Sequence, residues 1–437
     1  MTDQSLTREV LEDRFGGQTP GQKMVAIVFV VAGLIGAGIG FFLSGNVAVG
    51  WVAVLTATVL VIGLAMVGPL LSAIFQMTGA RWGLAYRRLA EGSVVLMPVG
   101  LAGVLALIAG GSSFLPWVHE HPHVGGKAIW LTRPFWDIRV LLVLLITYAV
   151  GLAFVRLSLR RDFCLGEVRE RFKGRLAAWA SKGITEQNAT EEAGRCGERM
   201  SRLAPIVAIV YAISFSILAI DLIMALEPDW FSTLFGAWYF IGNVFMGLAL
   251  LAIGQVFLGT RSNLGRFFTP QRMGDLATLL IAFCLINVDF FWNQYLTIWY
   301  ANLPEETFYL IERTADTELP WRSLSFVSLG TFFLIPFLAL LLRKVKRNGP
   351  LLAGVSLIAV VGIFLARFIE IAPPLLHLEG GSGTGALALP LLSAAGVLVG
   401  FLGAGLLLYA RWLEAVPAMV VGDRVFVEEM VGKGAAQ

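Results

Sequence analysis

Ten runs of about 20 apolar residues recur along this 437-residue sequence. A helix rises 1.5 Å per residue, so ~20 residues cross the ~30 Å hydrocarbon core of a bilayer. Charged residues make up 14% of the chain, against roughly 25% in soluble domains. We therefore expect an all-α, polytopic membrane protein with ten transmembrane helices. They are predicted near residues 24–44, 48–76, 92–117, 138–159, 203–226, 231–258, 275–301, 322–342, 350–372 and 386–410.

Basic residues are concentrated on one side of this arrangement. The two tails and the loops after the even-numbered spans hold 26 of the 33 lysines and arginines. Because positively charged loops stay in the cytoplasm, we expect both termini to be cytoplasmic. The predicted domains are an amino tail (1–23), a membrane domain (24–412) and a carboxyl tail (413–437).

The loop at 160–202 has an amphipathic pattern. Apolar residues recur there at helical spacing, with basic residues between them, which predicts a helix lying on the anionic inner leaflet. The apolar positions are Leu165, Val168, Phe172, Leu176 and Trp179.

A polar stripe interrupts the seventh run. Asp289, Asn293, Thr297 and Tyr300 follow one another at i, i+4, i+8 and i+11, which places them on one face of a helix. A polar stripe facing lipid is costly, so we expect this face to contact other protein or a wet cavity. Hydrogen bonding between packed helices is the alternative interpretation for Asn293 and Thr297.

Few other ionisable residues fall within the runs. Asp221, Arg367 and Glu370 are predicted in the outer part of the membrane, with Asp289 near its middle, and together they resemble the outer half of a proton path. Tyr239 and Asn243 could extend this path. Arg367 and Glu370, at i and i+3, could instead form a self-neutralised pair that locks helix packing. The sequence predicts no carboxylate in the inner half of the membrane.

Several kinds of cofactor site are excluded by the sequence. No predicted span contains a histidine, so the axial ligands of a membrane haem b are missing. Cys164, Cys196 and Cys284 have no metal-like spacing, and we expect no disulfide in a cytoplasmic loop. No P-loop or Rossmann fingerprint occurs. We therefore expect no redox cofactor and no metal on this chain.

Two larger patterns concern organisation. All four histidines and several acidic or aromatic clusters fall in the outer loops, which is typical of a surface that receives a partner. Spans four and five are similar in outline to spans eight and nine. An offset of four spans preserves orientation, so this similarity favours two parallel four-helix bundles.

Four segments resemble one family of membrane proteins. These are QYLTIWYANLPEET (294–307), AIDLIMALEPDWFSTLFGAWYFIGN (219–243), RWGLAYRR (81–88), and Lys127 with PFWDIR (134–139). Together they resemble the NrfD/PsrC-like membrane subunits of alternative complex III, and the ActF type more than its paralogue ActC.

The resemblance implies a fold of two four-helix bundles plus two peripheral helices. It implies a non-catalytic or quinol-interacting subunit of a quinol:electron acceptor oxidoreductase in the inner membrane of a bacterium, with menaquinol or ubiquinol as substrate of the complex. The implied partners are a paralogous ActC-type membrane subunit, a periplasmic iron–sulfur subunit and haem-c subunits. These partners would hold the iron–sulfur clusters and haem c, and no nucleic-acid partner is expected.

The family motifs carry over onto Asp221, Gln294, Tyr300 and Glu305, with Leu222 where an aromatic residue is expected. The resemblance also implies a proton path, so the candidate path residues are Asp221, Asp289, Asn293, Tyr300, Arg367 and Glu370. Two alternatives stay open. One is a quinol-binding anchor of another NrfD-type oxidoreductase, with a pocket that includes His123, Asp137 and Arg139. The other is a stand-alone secondary transporter.

Overall fold

The ten expected spans are all present as long helices in a computed structural model of the chain. The structure describes residues 10–11, 20–119, 125–259, 263–314, 320–376 and 387–434, and no strand occurs among them. The helices, labelled α1 to α10, are Gly21–Leu43, Val47–Thr78, Arg81–Phe114, Arg133–Phe163, Ala189–Leu226, Phe235–Gly259, Pro270–Ala301, Trp321–Leu341, Gly349–Leu376 and Ala388–Ala415. The prediction of an all-α polytopic protein is confirmed.

Capping residues fix where several helices begin and end. The side chain of Asn46 accepts a hydrogen bond from the Ala48 amide at the start of α2, and Thr269 does the same for the Arg272 amide at the start of α7. Gly79, with φ 62°, ends α2 in the left-handed conformation that glycine adopts without strain.

The helices form two four-helix bundles with two helices at the side. In the first bundle α2 packs against α3 and α5, and α4 packs against α5. In the second bundle α6 packs against α7 and α9, and α8 packs against α9. Each of these contacts in the first bundle recurs in the second bundle between the helices four positions later in the chain. This correspondence agrees with the predicted parallel repeat. Helix α2 also contacts α6 and α9, so it joins the two bundles.

Glycines allow α1 and α10 to pack closely at the side of the first bundle. A Cβ at Gly400 would lie 2.5 Å from the Cα of Gly33, and a Cβ at Gly396 would lie 2.9 Å from the Cα of Gly36. Small residues at such spacing let membrane helices approach until their backbones touch.

The start of α3 differs from the prediction. Residues 77–91 were expected to be a cytoplasmic loop, but the helix begins at Arg81 and passes through Leu84–Glu91, whose side chains are almost all buried. We call this end of the molecule, where α1 begins and α10 ends, the terminal face. The other end is the opposite face.

The single amphipathic helix that was predicted in the loop at 160–202 is not formed. Two short helices, Gly166–Arg171 and Arg175–Ser181, occupy the segment, and Gly174 separates them with φ 122°. Val168 and Phe172 are buried against the protein instead of pointing towards a membrane surface. The three cysteines are free.

The segment after α10 folds back across the terminal face. Met419, Val420 and Phe426 are buried there, and a short helix follows at Arg424–Gly434. The remaining short helices are Pro116–His119, Gly125–Trp130, Asn263–Phe267, Pro304–Thr314 and Arg343–Lys346.

Candidate functional site

A buried ion pair lies at the opposite face of the second bundle. Arg313, on the short helix Pro304–Thr314, donates from Nη2 to Glu227 Oε1 and to the carbonyl oxygen of Glu370, 3.1 Å away. Its guanidinium carbon lies 3.7 Å from the centre of the Tyr309 ring. Burial raises the pKa of the Tyr309 hydroxyl, so this group stays protonated at neutral pH. The pair ties the loop after α5 to the end of α9.

A second buried ion pair lies deeper, within α9. Arg367 is 1% exposed and Glu370 is 3% exposed, and Arg367 Nη1 donates to Glu370 Oε2. Glu370 Oε1 and Arg367 Nε have no hydrogen-bond partner among the described residues. Proteins place ordered water at buried polar atoms of this kind.

Polar side chains of α6 and α7 surround this pair. The Arg367 guanidinium lies 4.9 Å from the centre of the Tyr239 ring. A Cβ at Gly242 would lie 2.7 Å from Arg367 Nη2 and 3.0 Å from Asn287 Nδ2, so the glycine leaves room for both groups. Asn243, one turn after Tyr239, is 1% exposed.

The side-chain atoms of Asn243 and Asn287 Nδ2 also lack partners in the part of the chain that the structure describes. We call the whole series the polar column. It comprises Glu227, Arg313, Glu370, Arg367, Tyr239, Asn287 and Asn243.

The polar column stops near the middle of α6. From Val244 to Gly254 every residue of α6 is apolar, and the next polar side chain is Gln255, about 18 Å further along the axis at 1.5 Å per residue. Gln255 accepts a hydrogen bond of 2.7 Å from Tyr86. A proton reaching the terminal face along this line therefore has to cross an apolar stretch.

A second polar cluster lies at the terminal face, in the first bundle. Arg88 bridges two carboxylates that are fully buried, with Nη1 2.5 Å from Glu91 Oε2 and Nη2 bonded to Asp162 Oδ2. Arg87 Nε lies 2.8 Å from Ser72 Oγ, which donates to Glu91 Oε1 at 2.7 Å. We call these five residues the terminal cluster.

Two carboxylates of the terminal cluster, Glu91 and Asp162, lie inside the spanning helices α3 and α4, where loops were predicted. Arg87, Arg88 and Glu91 were assigned to a loop, and Asp162 to the loop that follows span four. A signal was present in the sequence, because Glu91 follows the two arginines at i+3 and i+4, a spacing at which side chains pair on one helix face. The pairing with Asp162 joins residues 74 positions apart and leaves no local signal.

Asp221 is held in a different way from Glu370. Arg139 binds it through both oxygens, with Nε 2.7 Å from Oδ2 and Nη2 2.8 Å from Oδ1. Trp130 Nε1 also donates to Oδ1, at 3.0 Å. The Arg139 guanidinium carbon lies 3.8 Å from the Trp130 ring centre and 4.5 Å from that of Phe135. With both oxygens occupied, Asp221 resembles a clamp between α4 and α5 more than a proton carrier.

Asp137 and Arg139, the two described residues of the alternative quinol pocket, pair with different residues. Asp137 pairs with Arg133, 2.9 Å away, while Arg139 is engaged by Asp221. His123 lies outside the described residues.

The polar stripe of α7 points away from both bundles. Asp289 is exposed, Tyr300 is 84% exposed, and the buried polar residues in the second half of α7 are Asn287 and Gln294. Asn293 Nδ2 donates to the Asp289 carbonyl at 2.8 Å. The expected path is thus divided. Arg367 and Glu370 lie together in the polar column, whereas Asp289 and Tyr300 are exposed on the outer surface and Asn293 is half-buried beside Asp289.

Within the described ranges, no group of three or more His, Cys, Asp or Glu side chains is arranged to hold a metal ion. The acidic groups of the polar column and of the terminal cluster are each engaged by arginine.

No protein-family model matches this chain, and no curated protein is significantly similar to it in sequence. The geometry of the site and the resemblance of its motifs are therefore the basis for a functional proposal.

Proposed function

We propose that this chain is the proton-conducting membrane subunit of a quinol:electron acceptor oxidoreductase similar to alternative complex III, without a redox cofactor of its own. In this proposal it lies in a bacterial inner membrane with both termini in the cytoplasm. A paralogous membrane subunit, an iron–sulfur subunit and haem-c subunits carry out the electron transfer, with menaquinol or ubiquinol as the substrate.

The observation that carries the proposal is the half-occupied carboxylate of Glu370. One oxygen is held by Arg367, while the other has no partner in the described chain. A proton can therefore bind and leave at Oε1 while the Arg367 contact is kept. Asp221, whose two oxygens both accept hydrogen bonds, lacks this freedom.

The surroundings of Glu370 suit proton exchange with the opposite face. The Glu227–Arg313 pair lies between Glu370 and that face, and Asn287 and Asn243 offer further polar atoms towards the centre. In the proposed orientation this face is periplasmic, where oxidation of quinol by the complex would release protons. The polar column would then be the outer half of a proton path.

The test is the number of protons moved per electron by the purified complex in proteoliposomes. Glu370→Gln keeps the shape of the side chain but removes its titratable proton. We expect quinol oxidation to continue while the ratio of translocated protons to electrons falls towards that of uncoupled oxidation. A pH-sensitive dye inside the vesicles reports the ratio.

The matched control is Asp137→Asn, which removes a carboxylate outside the polar column. It should leave the ratio unchanged. If Glu370→Gln prevents assembly, Asn287→Leu removes a polar atom of the column without breaking an ion pair and should lower the ratio in the same way. A wild-type ratio in both column variants would contradict the proposal.

A stand-alone secondary transporter is the second candidate, because a buried ion pair with unpartnered atoms could also couple a cation to a solute. Purification of the chain from its native membrane separates the two functions. Co-purification with haem c and iron–sulfur chains supports the oxidoreductase, and a chain that purifies alone supports the transporter.

A further inference from the structure

The connection between α8 and α9 carries a dense run of basic residues at the terminal face. Four of five consecutive residues are lysine or arginine, and the chain has no acidic residue between Glu318 and Glu370. The segment therefore has no carboxylate of its own to neutralise it. We call the four residues the basic turn. They are Arg343, Lys344, Lys346 and Arg347.

The basic turn has no counter-ion in the part of the chain that the structure describes. None of its four side chains forms an ion pair or a hydrogen bond there, and three of them are exposed. Two exposed arginines of α5 on the same face are paired, since Arg195 lies 2.5 Å from Glu191 and Arg202 lies 3.8 Å from Glu198. Topology depends on lysines and arginines whether or not they are paired, so orientation alone does not account for four unpaired cations.

An apolar stripe leads along α8 to the basic turn. Leu334, Leu338 and Leu341 recur at i, i+4 and i+7, which places them on one face of the helix. They are 50%, 54% and 55% exposed, and Leu342, directly before the turn, is 60% exposed. A lipid-facing apolar surface therefore ends directly at four cations.

The basic turn is held in an ordered conformation against the second bundle. The amides of Val345 and Lys346 donate to the carbonyl oxygen of Leu342, at 3.0 and 3.2 Å. Val345 is half-buried, and a Cβ at Gly274 of α7 would lie 3.9 Å from Arg347 Cγ. Because the backbone is already fixed, binding of a ligand to the cations orders little more than their side chains.

We propose that the basic turn and the leucine stripe of α8 bind an anionic phospholipid of the surrounding bilayer. Its phosphate lies against the four cations, and an acyl chain lies along Leu338 and Leu341. Clusters of basic residues directly after a membrane helix attract lipid head groups of net negative charge. A zwitterionic lipid fits less well, because its own ammonium group is repelled by the turn.

Two other occupants match only half of this surface. An acidic soluble protein would cover the cations and leave the leucines without a partner. A neighbouring membrane helix would cover the leucines, but it would have to bring carboxylates to the edge of the hydrocarbon core, whereas the head groups of anionic lipids already lie at that depth. The inference involves neither quinol nor proton transfer, so it stands apart from the proposed function.

The test is native mass spectrometry of the protein, purified with any chains that accompany it, during titration with phosphatidylglycerol or phosphatidylcholine. We expect phosphatidylglycerol to bind the wild-type protein at the lower concentration. The combined variant Arg343→Gln, Lys344→Gln and Arg347→Gln should raise the phosphatidylglycerol concentration for half-occupancy at least about tenfold. The reason is that each cation near an anionic head group contributes about fivefold to binding.

The matched control removes the same number of exposed arginines from α5, by Arg195→Gln, Arg199→Gln and Arg202→Gln. These side chains lie within 4.0 Å of glutamates, so the concentration for half-occupancy should stay within about twofold of wild type. Raising NaCl from about 0.05 M to about 0.5 M should weaken the preference of the wild-type protein for phosphatidylglycerol. This measurement needs no variant, so it tests the proposal even if the combined substitution disturbs folding.

Four results would overturn the proposal. They are equal binding of the two lipids by the wild-type protein, a preference that salt leaves unchanged, equal losses in the two combined variants, and a photocrosslinker at position 344 that joins the turn to another protein chain. Glycerol 3-phosphate, which has the phosphate but no acyl chain, should not displace the lipid at equal concentration. Displacement by it would show that the turn binds free phosphate and that the leucine stripe has no part in binding.

Discussion

Three carboxylates in the spanning helices differ in how many of their oxygens are occupied. Both oxygens of Asp221 accept hydrogen bonds from Arg139, whereas one oxygen of Glu370 is free of partners in the described chain. The Asp289 side chain is exposed on the outer surface of the second bundle. A carboxylate that is fully bonded holds helices together, and one with a free oxygen can exchange a proton or bind a ligand. These local differences separate residues that look equivalent in the sequence.

The Arg139–Asp221 clamp leads to a prediction about stability. Arg139→Gln leaves the Asp221 carboxylate buried without its charged partner, so we expect the free energy of unfolding to fall by about 3–5 kcal/mol. Titration of the purified protein with SDS in mixed micelles measures this change. Asp137→Asn breaks a pair whose side chains are about a quarter exposed and should cost no more than about 1 kcal/mol. Equal losses in the two variants would contradict the clamp.

At the scale of elements, the two faces of α7 have separate roles. Asn287 faces the polar column, while Asp289, two residues later and about 200° around the helix, is exposed on the outer surface. The two polar side chains of α7 therefore lie in separate environments. The close contact between α1 and α10, at the side of the first bundle, depends instead on glycines, because these have no side chain to keep the two backbones apart.

Because α1 and α10 pack so closely, we expect one added methyl group at their contact to lower the stability of the protein. Gly400→Ala would place a Cβ 2.5 Å from the Cα of Gly33, and no rotamer change can relieve a clash with backbone. We expect a loss of about 1–3 kcal/mol in the free energy of unfolding. Gly354→Ala, at a helical position with no heavy atom near its Cβ, is the matched control. An unchanged Gly400→Ala protein would mean that the two helices are less closely packed than described.

At the scale of the whole molecule, the carboxyl segment connects the two bundles at the terminal face. Asp423 pairs with Arg161 at 2.5 Å and with Arg87 at 3.5 Å, both in the first bundle. Glu429 pairs with Arg272 of α7, in the second bundle, at 2.9 Å. The Gly422 amide adds a hydrogen bond of 2.8 Å to Asp162 in the terminal cluster. The segment is therefore a strap across both bundles.

Removal of this strap is predicted to loosen both bundles together. A chain that ends at Ala415 loses Asp423, which pairs with Arg87 and Arg161, and Glu429, which pairs with Arg272, and it exposes the apolar surface beneath Phe426. We expect the backbone amides at the start of α3 and those at the start of α7 both to exchange faster with deuterium. Glu428→Ala, which changes an exposed residue of the strap, should leave exchange unchanged. Faster exchange at one bundle alone would contradict the bridging role.

The sequence by itself determined the number of spans, the fold class and the pairing of Arg367 with Glu370. The reason is that membrane insertion depends on contiguous apolar length, and an i, i+3 pair lies within one helix turn. The rotation of each helix about its axis was decided only by tertiary packing, which turned Asp289 outward and Asn287 inward. The same holds for the Arg88–Asp162 pair of the terminal cluster and for the Asp221 clamp, whose partners lie 74 and 82 residues apart in the chain. Because such pairs form only when the bundles assemble, no local pattern in the sequence records them.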